Sequence, residues 1–189
     1  MTESTDRREA IGDAAIAIVA KDGLRALTHR AVDRELALPA GSTSYYARTR
    51  RQLIEAMVHR LANRTVTDLR PPAEPARTVP EAAQRLAAGL ATLARRPADH
   101  RARYALLVEL TGDEELHALL TTRSPIRAGA LATAEATLDA IGVPEPEAHA
   151  PALIALIDGL LFDRVAGGGR DVSAEPMIRA YLTGLVTTG

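Results

Sequence analysis

The chain has 189 residues, 47% of them hydrophobic, no cysteine, no tryptophan and a formal net charge of -1. That length and apolar content exclude wholesale disorder and allow one substantial core or a small domain joined to a larger one. The missing cysteine excludes a disulfide scaffold, a thiolate metal site and a cysteine nucleophile, and the near-neutral charge means that no global positive field announces a polyanionic partner.

The apolar set is mostly Ala and Leu, with one Phe and four Tyr, and strong helix formers of this kind predict an all-α fold. Charge is distributed unevenly. Residues 1–70 carry 12 Arg or Lys against 9 Asp or Glu, whereas residues 71–189 carry 11 against 15. The opening MTESTDRREA has no apolar leader core, and apolar runs are interrupted well short of a membrane span, so a cytoplasmic location without a membrane partner is the expectation.

Ile11, Ala14, Ala15, Ile18 and Val19 fall on one helical stripe that Gly23 stops. Thr28 caps a short second helix over about 28–36, with Leu27 and Val32 placed as a hydrophobic staple. Pro39 suits a first helical turn, which starts a third helix over roughly 39–46. Thr49 and Gln52 form a T-x-x-Q capping box ahead of Ile54, Met57, Val58 and Leu61, giving a long fourth helix over about 49–68.

The run PPAEPARTVP then breaks the chain. Beyond it, Leu86, Leu90 and Leu93 mark a helix ending near Pro97. Tyr104, Leu107, Val108 and Thr111 mark another, and DEELHALLTT a shorter one. Ser124-Pro125 opens a helix that Gly142 stops, a further apolar face runs from Glu147 to Val165, and Ser173 is placed to cap a last helix. The domains implied are residues 1–52, with the fourth helix leading out of them, and residues 70–189.

The segment LTHRAVDRELALPAGSTSYYARTRRQL, from Leu27 to Leu53, has the form of a helix-turn-helix. Between Pro39 and Arg51 it has little apolar bulk to bury, yet it is dense in groups that hydrogen-bond phosphates or base edges. Consecutive residues of a helix point about 100° apart, so at least one of Tyr45 and Tyr46 must leave the core. Arg48, Arg50 and Arg51 also fit an ordinary charged face, although no carboxylate interrupts them.

Over about residues 7–62 the chain resembles the TetR family of bacterial transcriptional regulators. The residues that carry the likeness are Gly23-Leu24 with Leu27-Thr28, then Ala31-Val32, Gly41-Ser42-Thr43-Ser44-Tyr45-Tyr46, and Thr49-Arg50 before Leu53-Ile54. The resemblance implies a three-helix DNA-binding head on a larger all-helical body that binds a small-molecule effector. It also implies a homodimer formed through the C-terminal helices and a palindromic operator in double-stranded DNA, released when effector binds. Carried over, Thr28 and Tyr46 contact phosphates, Ser42, Thr43, Ser44 and Tyr45 face bases and backbone, and Thr49 with Arg50 anchors the fourth helix on phosphate. Arg30 and Arg51 complete the expected DNA-binding set. Ala37 stands where the family commonly has Gly, and Ala47 where it usually has Phe.

No catalytic constellation can be assembled. Glu114 to His117 is a lone E-x-x-H without the second motif that a di-iron bundle needs, no nucleophile elbow occurs, and Gly167–Gly169 reads as a helix stop. No cofactor or metal is expected. Arg103, Tyr104, Leu107, Asp158 and Phe162 lie nearest predicted apolar faces and are the candidates for an effector pocket. The alternative from another class is an all-helical protein-interaction module that does not bind DNA.

Overall fold

The computed structural model describes residues 2–68, 74–169 and 172–187, with side chains from Thr5 onward. The described residues form ten α-helices and no strand: α1 (Thr2–Asp22), α2 (His29–Glu35), α3 (Ser42–Tyr46), α4 (Arg50–Asp68), α5 (Val79–Leu93), α6 (Pro97–Glu109), α7 (Glu114–Leu120), α8 (Pro125–Ala140), α9 (Pro146–Val165) and α10 (Glu175–Thr187). A single 3-10 turn, Leu24–Ala26, links α1 to α2. The prolines at 71 and 72 lie outside the described residues.

The chain divides into two compact units, residues 1–65 with 98–124 and residues 66–97 with 125–189. This differs from the expected separation of residues 1–52 from 70–189. The reason is the apolar face of α6 and α7: Ala102, Leu106, Leu110, Leu116 and Leu120 belong to the same buried cluster as Ile11, Ile18, Leu27, Val32, Leu53, Met57 and Leu61. Each fully buried Leu contributes about 1.5–3 kcal/mol relative to an exposed one, so these helices are part of the first unit's core. The expected stripe on α6 is also displaced, since Val108 is exposed and the buried apolar positions are Ala102 and Leu106 on the helix and Leu110 just after it.

Polar ties reinforce the first unit. Arg60 pairs with Asp13 at 2.6 Å and Glu9 at 2.8 Å, and Arg64 bridges Asp13 and Asp99, each at 2.8 Å. The hydrogen bond to Asp13 is the main reason that the Arg60 pKa is raised. In the second unit, α8 packs along α9 and α5 packs against α10 and α9. Its core includes Leu90, Leu138, Leu153, Leu161, Ile178 and Leu182.

Candidate nucleic-acid interface

Thr28 caps α2 as its sequence position predicts, its hydroxyl accepting from the Ala31 N–H at 3.1 Å. Leu27 and Val32 are fully buried, whereas Thr28 and Arg30 stand in solvent. After α2 the chain turns through Ala37, whose φ of 51° is left-handed. Pro39 lies outside the third helix, which begins at Ser42 rather than at the expected 39. Gly41 precedes it with φ 91°, a conformation open to a residue without Cβ, and offers no capping side chain.

The missing cap comes from α2. The Asp33 carboxylate, only 3% exposed, accepts the Gly41 N–H at 2.7 Å, the Thr43 N–H at 2.8 Å and the Thr43 hydroxyl at 2.5 Å. The Thr43 hydroxyl is the main reason that the Asp33 pKa is lowered, outweighing desolvation, and the two N–H groups and His29 act in the same direction. Thr43 is fully buried. The expectation that it faces bases is therefore corrected, because its hydroxyl and amide are both spent on Asp33.

The rest of α3 divides as its geometry requires. The Ser42 hydroxyl donates to the Pro39 carbonyl at 2.7 Å. Ser44 is exposed, and Tyr45, at 82% exposure, is the most exposed large hydrophobic side chain among the described residues. Tyr46 packs partly into the core, its ring edge-on to Tyr45 with centroids 5.1 Å apart. Ala47 is buried, and its carbonyl accepts from His29 Nε2 at 2.7 Å, so that nitrogen carries the proton. A hydrogen bond thus secures the corner where an aromatic side chain would otherwise pack.

At the start of α4 the capping box is present: Gln52 N–H donates to Thr49 Oγ1 at 3.1 Å, and Gln52 Oε1 accepts from Thr49 N–H at 3.4 Å and from Arg48 N–H at 2.6 Å. The arginines differ from one another. Arg50 Nη2 donates to the Leu24 carbonyl at 2.6 Å, which ties the start of α4 to the turn after α1. Arg51, expected to face DNA, is surrounded by Glu55 at 3.3 Å, Asp113 at 3.1 Å and Glu115 at 2.6 Å. Its charge is balanced by these carboxylates within the first unit. Arg48 is exposed beside α3 and forms no ion pair with the side chains described. Its place in a carboxylate-free run is the signal that marks it, while Asp33 carries no local signal, since its partners lie 8 and 10 residues on.

The candidate effector residues do not share a unit. Arg103, Tyr104 and Leu107 lie on α6 in the first unit, where the Arg103 guanidinium sits 5.7 Å from the Tyr104 ring centroid and buried His100 lies 6.4 Å from that ring. Asp158 and Phe162 lie on α9 in the second unit, and Phe162 is half exposed. Two open depressions in the second unit gather Thr78, Glu81, Gln84, Glu175 and Arg179, and neither Asp158 nor Phe162 lines them.

A short helix with exposed polar and aromatic side chains, held behind by a packed partner helix and flanked by the exposed Arg30 and Arg48, defines a helix-turn-helix regulator of transcription. Residues 77–188 match the model described as the tetracyclin repressor-like C-terminal domain. The chain belongs to the TetR family of transcriptional regulators. Among solved structures it is similar to a transcriptional regulator from Rhodococcus sp. RHA1, with 19% identity, 96% of each chain covered and a TM-score of 0.78. It is also similar to a TetR-family member from Streptomyces coelicolor A3, with 26% identity, 95% of this chain and 97% of that one covered, and a TM-score of 0.67. The multidrug binding protein EbrR, solved in complex with proflavin, is 29% identical over 95% of this chain and 99% of its own, with a TM-score of 0.53. No curated protein matches the chain. Among the described residues no helix is long and apolar enough to cross a membrane.

Proposed function

We propose that the protein is a cytoplasmic repressor that binds a palindromic operator as a homodimer and is released by a small-molecule effector. The observation that carries the DNA-reading role is the exposed face of α3, where Ser44 and Tyr45 project with no apolar cover. Thr28, Arg30, Arg48 and Thr49 flank it in solvent, and Tyr46 and Arg50 remain at its edge. In this assignment Ser44 and Tyr45 discriminate bases, and the flanking groups position the head on phosphates. The second unit joins two copies through α8 and α9, where Gly129, Ala132, Ala136, Ala155 and Gly159 are exposed small residues that let a second backbone approach closely. The proflavin complex of EbrR supports an organic small molecule as effector.

The test is selection of duplexes from a random double-stranded library by the purified protein, followed by affinity measurements over a salt series. Retained duplexes should share a palindrome. Arg30→Ala and Arg48→Ala should weaken all of them similarly and each reduce the slope of log affinity against log salt by about 1, while Tyr45→Ala should change which bases are preferred. A protein that retains no duplex at any salt concentration is instead an interaction module.

A further inference from the structure

We propose that Asp33 is the positioning residue for DNA reading: from α2 its buried carboxylate supplies the cap that α3 lacks, and so fixes the orientation in which Ser44 and Tyr45 meet the groove. This rests on the DNA-binding role proposed above.

The argument begins with the length of α3. A helix of five residues makes almost none of the backbone bonds that offset its nucleation cost, so it holds its shape only through outside partners. Its own N-cap, Gly41, has no side chain with which to bind the first free N–H groups. Asp33 binds two of them, together with the Thr43 hydroxyl, and the negative charge also favours the positive end of the helix. At the other end, His29 holds the Ala47 carbonyl. Both anchors project from α2, so α2 fixes α3 at its two ends while the intervening Ser44 and Tyr45 face outward.

Burial alone does not call for this arrangement. A carboxylate at 3% exposure is costly to desolvate, and an apolar pair of similar volume at 33 and 43 would pack the same space. What an apolar pair lacks is direction. Three hydrogen bonds converging on one carboxylate permit a single rotation of α3 about its axis, and Thr43 adjoins Ser44 directly. The side chain therefore acts on base discrimination without touching DNA.

The experiment uses the full chain and a duplex recovered by the wild type from a random library. Asp33→Asn replaces one acceptor oxygen by an NH₂ group facing N–H donors. It should weaken binding on the order of 10- to 100-fold, the loss of a charge-assisted hydrogen-bond set. Hydrogen exchange should accelerate at residues 41–46 while remaining slow in α1 and α4. Thr43→Val, which keeps the shape and the N–H but not the hydroxyl, should lose about tenfold, and Thr43→Ser, which keeps both donors, should bind like the wild type. Wild-type affinity in Asp33→Asn and Thr43→Val overturns the proposal. So does acceleration spread equally over α1, α3 and α4, which marks a purely structural role. If Asp33→Asn does not fold, the contrast between Thr43→Val and Thr43→Ser decides alone. Failure of the wild type to retain any duplex overturns the DNA-binding role itself, and so is distinct from these results.

Discussion

Gly12 lies where α1 approaches α4 so closely that a methyl group there would sit 2.8 Å from Arg60 Cβ, 3.1 Å from Arg60 Cγ and 3.2 Å from the Ala56 carbonyl oxygen. Carbon atoms pack at about 3.5–4.0 Å, so Gly12→Ala must move the helices apart by roughly 1 Å or disturb Arg60 and its pairs with Glu9 and Asp13. On an unobstructed helix the same change gains about 0.8–1.0 kcal/mol from helix propensity. Overpacking costs about 1–3 kcal/mol, and here the obstructing atoms belong to the backbone and the root of a side chain, which cannot swing clear. The net expectation is a loss of about 0.5–2 kcal/mol, with the thermal midpoint falling about 2–4 °C per kcal/mol. Urea unfolding followed by circular dichroism reads the change as a lower midpoint at unchanged slope. Gly184→Ala, in α10 and outside the proposed seam between copies, provides the contrast, because a methyl group there meets nothing within 4 Å, and it should gain about 0.5–1 kcal/mol. Gly12→Ala at or above wild-type stability would refute the close-packing argument.

Ala37→Gly should raise stability by about 0.5 kcal/mol in the same assay, since relief of a left-handed Ala at φ 51° exceeds the entropy that Gly gives to the unfolded chain; a lower midpoint would sink this. Arg51→Ala should cost no more than about 1 kcal/mol, because its ion pairs are more than a third exposed, and should leave duplex affinity near wild type; a large loss of affinity would return Arg51 to the DNA-facing set. Asp33 should make stability depend on pH. Its pKa is lower folded than unfolded, so its contribution is complete above the ordinary aspartate value of about 3.9 and disappears as pH falls through the folded value. The stability gap between wild type and Asp33→Asn should therefore narrow as pH falls from about 5 toward 2, and a constant gap would show that the charge is not the source.

Much of the head was legible because its signals are local. The Thr28 cap reaches three residues, the Thr49-Gln52 box is reciprocal within four, and both yield helix starts from spacing alone. The extra order around α3 was not legible. Thr43 carries the same hydroxyl as a solvated Thr, and only the approach of Asp33 from the preceding helix decides that it is buried. The fates of Arg50 and Arg51 were harder to see, since the Leu24 carbonyl that holds Arg50 lies 26 residues away and, besides Glu55 four residues on, the carboxylates around Arg51 lie 62 and 64 residues away. On α6 two helical stripes were available, and the choice between Tyr104-Leu107-Val108 and Ala102-Leu106-Leu110 depended on which neighbour the helix meets. Nothing periodic announces that residues 98–124 return to the first unit.

That return has a consequence for how the protein is made. A head completed by residues 1–65 alone could fold as soon as its helices left the ribosome. Here the core waits for Leu106, Leu110, Leu116 and Leu120, so the N-terminal helices emerge with part of their apolar surface uncovered until residue 124 has been synthesised. Such non-local closure slows folding and lengthens exposure to aggregation. It also limits modular engineering: a head cut after α4 and grafted onto another body leaves that surface bare, so a working chimera must carry α6 and α7 with the reading helix.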